Sequence, residues 1–241
     1  MRLLNGDCLE LMQDLPTNSV DMVLCDLPYG TTDCKWDSII PFDMLWKQYE
    51  RIAKDNGAIV LFSAQPFTTK LIHSNLKRFK YCWYWKKRNA TGFTYARYQP
   101  MRCIEDICVF YKKRPTYNPQ GLQRIENPQT KKHKKGQGGE LWSMRSRKNE
   151  YTPRFKNYPK HILEFGKDTE RHHPTQKPVA LLEYLIKTYT DEGETVLDNC
   201  MGSGSTGVAA ANTNRRFIGM EITEQYYNIA KDRIHKACAM Q

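Results

Sequence analysis

Val196-Leu197-Asp198-Asn199-Cys200-Met201-Gly202-Ser203-Gly204-Ser205-Thr206 decides the fold of this 241-residue chain. A short apolar run ends on an acid, and two glycines one residue apart follow it. That is a buried strand entering a tight turn, with a helix starting near Ser205. Phe217-Ile218-Gly219-Met220-Glu221 reads as the next strand, and it too ends on an acid, 23 residues after Asp198. Strand, glycine turn, helix and strand make a parallel unit, and open α/β sheets hold ligands where such strands end. Glu221 is spaced to accept hydrogen bonds from ribose hydroxyls. A dinucleotide would suit the same geometry, but the third glycine of Gly-x-Gly-x-x-Gly is missing, and Ala209-Ala210 follows instead.

The alternation continues outward. Val179 to Tyr189 has a helical pattern after Pro178, a good helix-start residue, and Gly193 ends it. A helix over 206–213, a strand over 216–220 and a closing helix over 223–236 follow. In the first half, Leu3 to Leu11 carries Gly6-Asp7-Cys8 and then a short amphipathic helix. Val20 to Cys25 is a buried strand that runs into Asp26-Leu27-Pro28-Tyr29-Gly30. Phe42 to Lys54 has helical spacing, with Asp55-Asn56-Gly57 as its left-handed cap. Strands over 58–62, 79–86 and 105–112 and a helix over 66–76 complete the pattern. Helices alternating with strands imply a mostly parallel sheet of the seven-strand type, covered on both faces.

Composition narrows the class. Apolar residues make up 40% of the chain, enough for one large α/β core carrying an insertion. No apolar run is long enough to span a membrane, and Gly6 and Asp7 come too early for a signal peptide. An intracellular, cytoplasmic protein is expected. The eight cysteines form no Cys-x-x-Cys pair and several lie in apolar runs, which favours reduced thiols over disulfides or a zinc site. The formal charge is +11, and residues 112–160 alone hold 14 Lys or Arg against three Glu. Prolines and glycines break regular structure there. The stretch reads as a phosphate-neutralising element or a solvated loop, and one segment can be both.

Three groups of residues resemble one family. Asp26-Leu27-Pro28-Tyr29 resembles the Asp-Pro-Pro-Tyr motif of amino-group DNA methyltransferases. His173-Pro174-Thr175-Gln176-Lys177-Pro178 before a helix, the Val196–Thr206 loop and Phe217–Glu221 resemble the C-terminal half of their β class, in which the cofactor half comes last. The resemblance covers roughly residues 1–111 and 158–236. It implies a Rossmann-like methyltransferase sheet in circularly permuted order, with a core over 1–112 and 158–241 and a basic target-recognition insertion over 113–157. The implied cofactor is S-adenosylmethionine. Asp198 and the loop residues Met201, Gly202, Ser203, Gly204, Ser205 and Thr206 would hold its methionine end. Glu221, with Ile222 beside it, would hold the ribose. Gln176 and Lys177 would lie over the cofactor, Asp7 and Cys8 would face its adenine, and Asp26 would border it. The implied partner is double-stranded DNA. Homodimers are common in the class, and small members occur in phages and bacterial modification systems.

The chemistry fits that resemblance. The lone pair of an exocyclic amine is delocalised into the ring, so its N–H groups need acceptors that favour a tetrahedral nitrogen. Asp26 would accept one N–H, the Leu27 carbonyl the other, and Tyr29 would stack on the extruded base, with Pro28 stiffening the loop. Leu27 stands where the family has proline, which would loosen the loop without removing the carbonyl. Transfer would be direct, and no Pro-Cys nucleophile of a cytosine C5 enzyme is present. In the family, Asp at the first motif position goes with adenine N6, Ser with cytosine N4, and Asn with glutamine or RNA amines. Adenine is therefore expected, with cytosine N4 or RNA as the alternative. A nucleic-acid-binding protein with an inactive pocket, or a nucleotide-dependent oxidoreductase, stands further off. Candidate DNA contacts are Lys35 and Trp36 of the 31–38 loop, Arg88 at a basic strand end, and Lys131, Lys132, Lys134, Lys135, Arg145 and Arg147 of the insertion. Trp36 suits core packing equally well.

Overall fold

The structure, a computed structural model, describes residues 1–30, 37–132, 150–170 and 172–240. Its strands are β1 (Arg2–Asn5), β2 (Val20–Asp26), β3 (Ala53–Ser63), β4 (Phe79–Thr91), β5 (Arg102–Phe110), β6 (Gln123–Arg124), β7 (Lys131–Lys132), β8 (Glu150–Tyr151), β9 (Phe155–Lys156), β10 (Ile162–Glu164), β11 (Thr195–Asp198) and β12 (Arg216–Glu221). Its helices are α1 (Cys8–Leu11), α2 (Phe42–Ile52), α3 (Phe67–Ser74), α4 (Val179–Tyr189), α5 (Ser205–Asn212) and α6 (Glu224–Ala239). Two compact units result, one of Met1–Asn118 with His161–Gln241 and one of Pro119–Lys160.

The larger unit is built on an eight-stranded sheet in the order β1-β12-β11-β2-β3-β5-β4-β10. Six of these strands match stretches read from the sequence; β1, beside β12, and β10, beside β4, complete the eight at the two edges. β5 alone runs against the other seven, pairing antiparallel with β3 and β4. The residues of β2 and β3 are apolar on both sides, because both faces of the sheet are covered. Met22, Leu24, Val60 and Phe62 pack with Leu181, Leu185, Ala210 and Ile234 of α4, α5 and α6. Their alternates Val23, Cys25, Ile59 and Leu61 pack with Leu45, Tyr49, Phe67 and Leu71 of α2 and α3. This is the period-two alternation of a strand, realised between two helical layers.

One boundary differs from the sequence reading. The helix ends at Ile52, and β3 begins at Ala53, so Asp55-Asn56-Gly57 is not a helix cap. The ladder pairs Val20 with Ala53 and then Met22 with Ala58, so residues 54–57 bulge outward. Gly57 suits the bulge because a side chain there would meet the Lys54 and Asp21 carbonyls at 3.0 and 3.1 Å. Lys54 reaches back across the bulge to Asp21 at 2.6 Å.

The smaller unit holds two short antiparallel pairs, β6 with β9 and β7 with β8. Lys132 pairs with Glu150 at 3.1 Å, and the Thr130 and Thr152 hydroxyls meet at 2.7 Å. Lys131 and Lys132 are exposed. Among the described residues, no helix is long and apolar enough to cross a membrane.

Candidate active site

The parallel neighbours β11 and β2 mark the point where the order of strand addition reverses. From β2 the chain moves to β3 on one side, and from β11 to β12 on the other. Such a switch point opens a crevice at the carboxyl ends of the strands. Three of the strands there end on acids: Asp26 on β2, Asp198 on β11 and Glu221 on β12. A cavity of about 680 Å³ occupies the crevice and is lined by all three.

The glycine turn forms one wall. Asp198 is almost fully buried, and burial pushes its carboxyl up to about 6, against hydrogen bonds from Thr206 and the Cys200 N–H that favour the charged form. Glu221 accepts from the backbone N–H groups of Gly202 and Thr223, both at 2.9 Å, which fixes the loop to the end of β12. Arg233 of α6 donates to the Ser203 carbonyl at 2.5 Å and to its hydroxyl at 3.1 Å. Cys8, Met201, Gly202, Ser203, Ser205, Thr206 and the exposed Ile222 line the cavity with Asp198 and Glu221. Gly204 does not line it. Its φ of +81° starts α5, and a side chain there would overlap the Cβ of Ala230 at 2.8 Å, so this glycine serves the close packing of α5 on α6. Asp7 lines the cavity while its carboxylate caps α1, accepting from Leu9 N at 2.7 Å. Gln176 accepts from the Ser203 hydroxyl at 3.4 Å and from His172 N at 2.9 Å, tying the 168–176 loop to the glycine turn.

Asp26, Leu27, Pro28 and Tyr29, at the end of the neighbouring strand β2, line the same cavity. Asp37 accepts from the Tyr29 and Gly30 N–H groups at 2.8 and 2.9 Å and so holds the loop in shape. Leu27 is buried in the core under α2 and α3, so leucine anchors the loop through packing where looseness was expected. The Tyr29 ring stacks on Phe67 at 4.9 Å, which covers one face, and its hydroxyl donates to Asp26 Oδ1 at 2.8 Å.

Lys177 does something the sequence reading did not anticipate. Its Nζ donates to Asp26 Oδ2 at 2.5 Å and to Glu105 Oε1 at 2.8 Å, and Lys87 binds the other Glu105 oxygen at 2.5 Å. Burial alone would lower the Lys177 ammonium's pKa; Asp26 and Glu105 reverse this and leave it raised. Burial raises the Asp26 carboxyl, with Lys177 opposing, whereas Glu105 is lowered because two lysines outweigh its burial. Nearby His173 is pushed down to about 4 by burial and by Lys177.

Glu105, Lys87, Asp37 and Arg233 were absent from the candidate residues of the sequence reading. Two of them carried a signal. Glu105 is a charge entering the apolar run Ile107–Phe110, and Arg233 adjoins Ile234 on the helix face that Ala230 and Ala237 bury. Arg88 is exposed on β4, as a DNA contact would require. Lys35, Trp36, Lys134, Lys135, Arg145 and Arg147 lie outside the described residues.

Comparison with known proteins agrees with this geometry. A family profile described as DNA methylase, of the N6/N4 type, matches residues 20–232. The type II methyltransferase M.HpaI of Haemophilus parainfluenzae is 29% identical over 97% of this chain and 74% of its own. DNA adenine methyltransferase YhdJ of Escherichia coli (strain K12) is 26% identical over 98% and 83%. The solved PvuII DNA methyltransferase, cytosine-N4-specific, superposes with a TM-score of 0.71 over 99% of this chain and 90% of its own, at 15% identity, and so shares the fold. This chain belongs to the N6/N4 DNA methylase family and is a DNA methyltransferase.

Proposed function

We propose that the protein methylates the 6-amino group of adenine in double-stranded DNA, using S-adenosylmethionine, after the base has left the helix. The observation that carries this reading is the meeting of Asp26 with Asp198 and Glu221 in one cavity at the switch point. The donor set suits the cofactor. Buried Asp198 offers a negative site for a cationic methionine end, Glu221 at the end of the neighbouring strand β12 would accept from ribose hydroxyls, and exposed Ile222 would give adenine an apolar surface. When bound, S-adenosylmethionine supplies an electrophilic methyl group on a sulfonium.

The protein's own groups do the rest. Asp26 accepts an N–H of the target amine and favours a nitrogen whose lone pair faces the methyl group. The Leu27 carbonyl takes the second N–H. Tyr29, backed by Phe67, holds the base flat. The proton released by the methylated nitrogen goes to Asp26, and its raised pKa makes it a better base than an ordinary carboxylate. Asp at the first motif position supports adenine over cytosine. Residues 113–157 act as the target-recognition insertion, with most of their basic side chains on phosphates.

The test is to incubate the protein with unmethylated DNA and labelled S-adenosylmethionine, digest to nucleosides and identify the product by mass spectrometry. N6-methyladenine is expected. N4-methylcytosine would overturn the adenine assignment and keep the fold and the transfer chemistry.

A further inference from the structure

Lys87, Glu105, Lys177 and Asp26 form a line in which cation and carboxylate alternate, linked at 2.5, 2.8 and 2.5 Å. Two positive and two negative charges cancel. Lys177 is only 9% exposed, yet it lines the cavity beside the carboxylate that receives the amine. A cation there opposes the positive charge that develops on the amine nitrogen during transfer. If Asp26 needed only a partner to fix its rotamer, the neutral Tyr29 hydroxyl, already on its other oxygen at 2.8 Å, would serve.

A lysine ammonium has three donors, of which the two carboxylates take two; among the described residues the third has no hydrogen-bond acceptor, and the ammonium lies 5.2 Å from the centroid of the Phe62 ring. Asp26, an acceptor, and Lys177, a donor, lie side by side. The Watson–Crick edge of adenine is the complement of that pair: the 6-amino group donates and the adjacent ring N1 accepts. Cytosine repeats the order with its 4-amino group and N3. Guanine and thymine reverse it, with a carbonyl beside a ring N–H. Resting on the adenine methyltransferase reading above, we propose that Lys177 reads the ring nitrogen next to the target amine, donating to adenine N1 while Asp26 accepts from the 6-amino group. Glu105, held by Lys87, is the positioning residue that keeps Lys177 in register and offsets its charge. A flipped base is read through its Watson–Crick edge in this way, and reversed edges leave buried groups unpaired.

The experiment compares duplexes carrying adenine or 1-deazaadenine at the mapped methylation position. In 1-deazaadenine a C–H replaces N1 and the amine remains. Single-turnover rates are measured for the wild type and for Lys177→Met. The wild type is expected to methylate the deaza base about 10- to 100-fold more slowly. Lys177→Met is expected to slow on adenine by a similar factor and to lose the distinction between the bases. Equal wild-type rates on the two bases would overturn the assignment without reference to any variant. So would a deaza penalty that persists unchanged in Lys177→Met, since Lys177 would then act on Asp26 alone. The product from the unmodified duplex is identified first. N4-methylcytosine would refute the adenine reading by itself, and 3-deazacytosine would then replace the probe, so the two failures stay separate.

Discussion

S-adenosylmethionine should bind about tenfold more tightly at pH 7 than at pH 5, and Asp198→Asn should abolish the difference. The perturbation acts on one carboxyl group. Burial pushes Asp198 up to about 6, where an ordinary aspartate near 3.9 would already be about nine-tenths ionised at pH 5. With a pKa of about 6, roughly one molecule in eleven carries the carboxylate at pH 5 and about ten in eleven at pH 7. A cationic methionine end selects the ionised form, so affinity rises with pH through the folded pKa and is flat above it. Stability of the ligand-free protein runs the other way. Between the unfolded pKa and about 6 the folded state binds the extra proton, so stability falls as pH rises, by at most about 3 kcal/mol. His173, pushed down to about 4, is mostly neutral across the window and supplies little of the effect. Calorimetry at pH 5, 6 and 7 in two buffers of different ionisation enthalpy would count the protons. Nearly one proton should leave on binding at pH 5 and almost none at pH 7. A pH-independent affinity in the wild type, or the same dependence in Asp198→Asn, would refute the reasoning.

Three further outcomes are expected. Asp26→Ala should cut single-turnover methylation by about a hundredfold or more while calorimetry still detects cofactor binding; full activity would remove Asp26 from the mechanism. Gly204→Ala should cost about 2–4 kcal/mol, from left-handed strain plus overlap with Ala230, and lower the melting temperature by roughly 5–12 °C; a loss under about 1 kcal/mol in denaturant would show that α6 gives way freely. Reversing the charges of Lys131, Lys132, Lys134 and Lys135 should weaken DNA binding and flatten its log–log salt slope by up to about 3–4; an unchanged slope would mean that these lysines face solvent only.

The parallel core was legible because its strands are bounded by strong punctuation. Pro178 and the glycine turn fix α4, β11 and α5 to within a residue of the sequence reading. The end of α2 was misjudged because Asp-Asn-Gly serves a bulge as well as a helix cap, and only pairing with β2 chooses between them. β1 and β10 are too short, at four and three residues, to carry a period of their own, and they become strands through the neighbours they join. At the site, residues whose chemistry is local were found from motifs. The ion pairs of Lys177 were not legible, because its partners Asp26 and Glu105 come from β2 and β5, and no spacing in the chain announces that meeting.

The order of strands in the sheet has a consequence for synthesis. β1 precedes the other described strands and pairs with β12, whose residues lie 216 positions later, as with Arg2 and Ile218. β11 enters between β2 and β12, inside the sheet, after β2, β3, β4, β5 and β10 have been made. Until it arrives, the apolar β2 presents a bare edge to whatever is nearby. A growing chain therefore carries Asp26 without Asp198, and a sticky border in place of a crevice. Folding of this sheet on the ribosome should wait for β11 and β12, and chaperone binding to the segments made before them should be centred on β2.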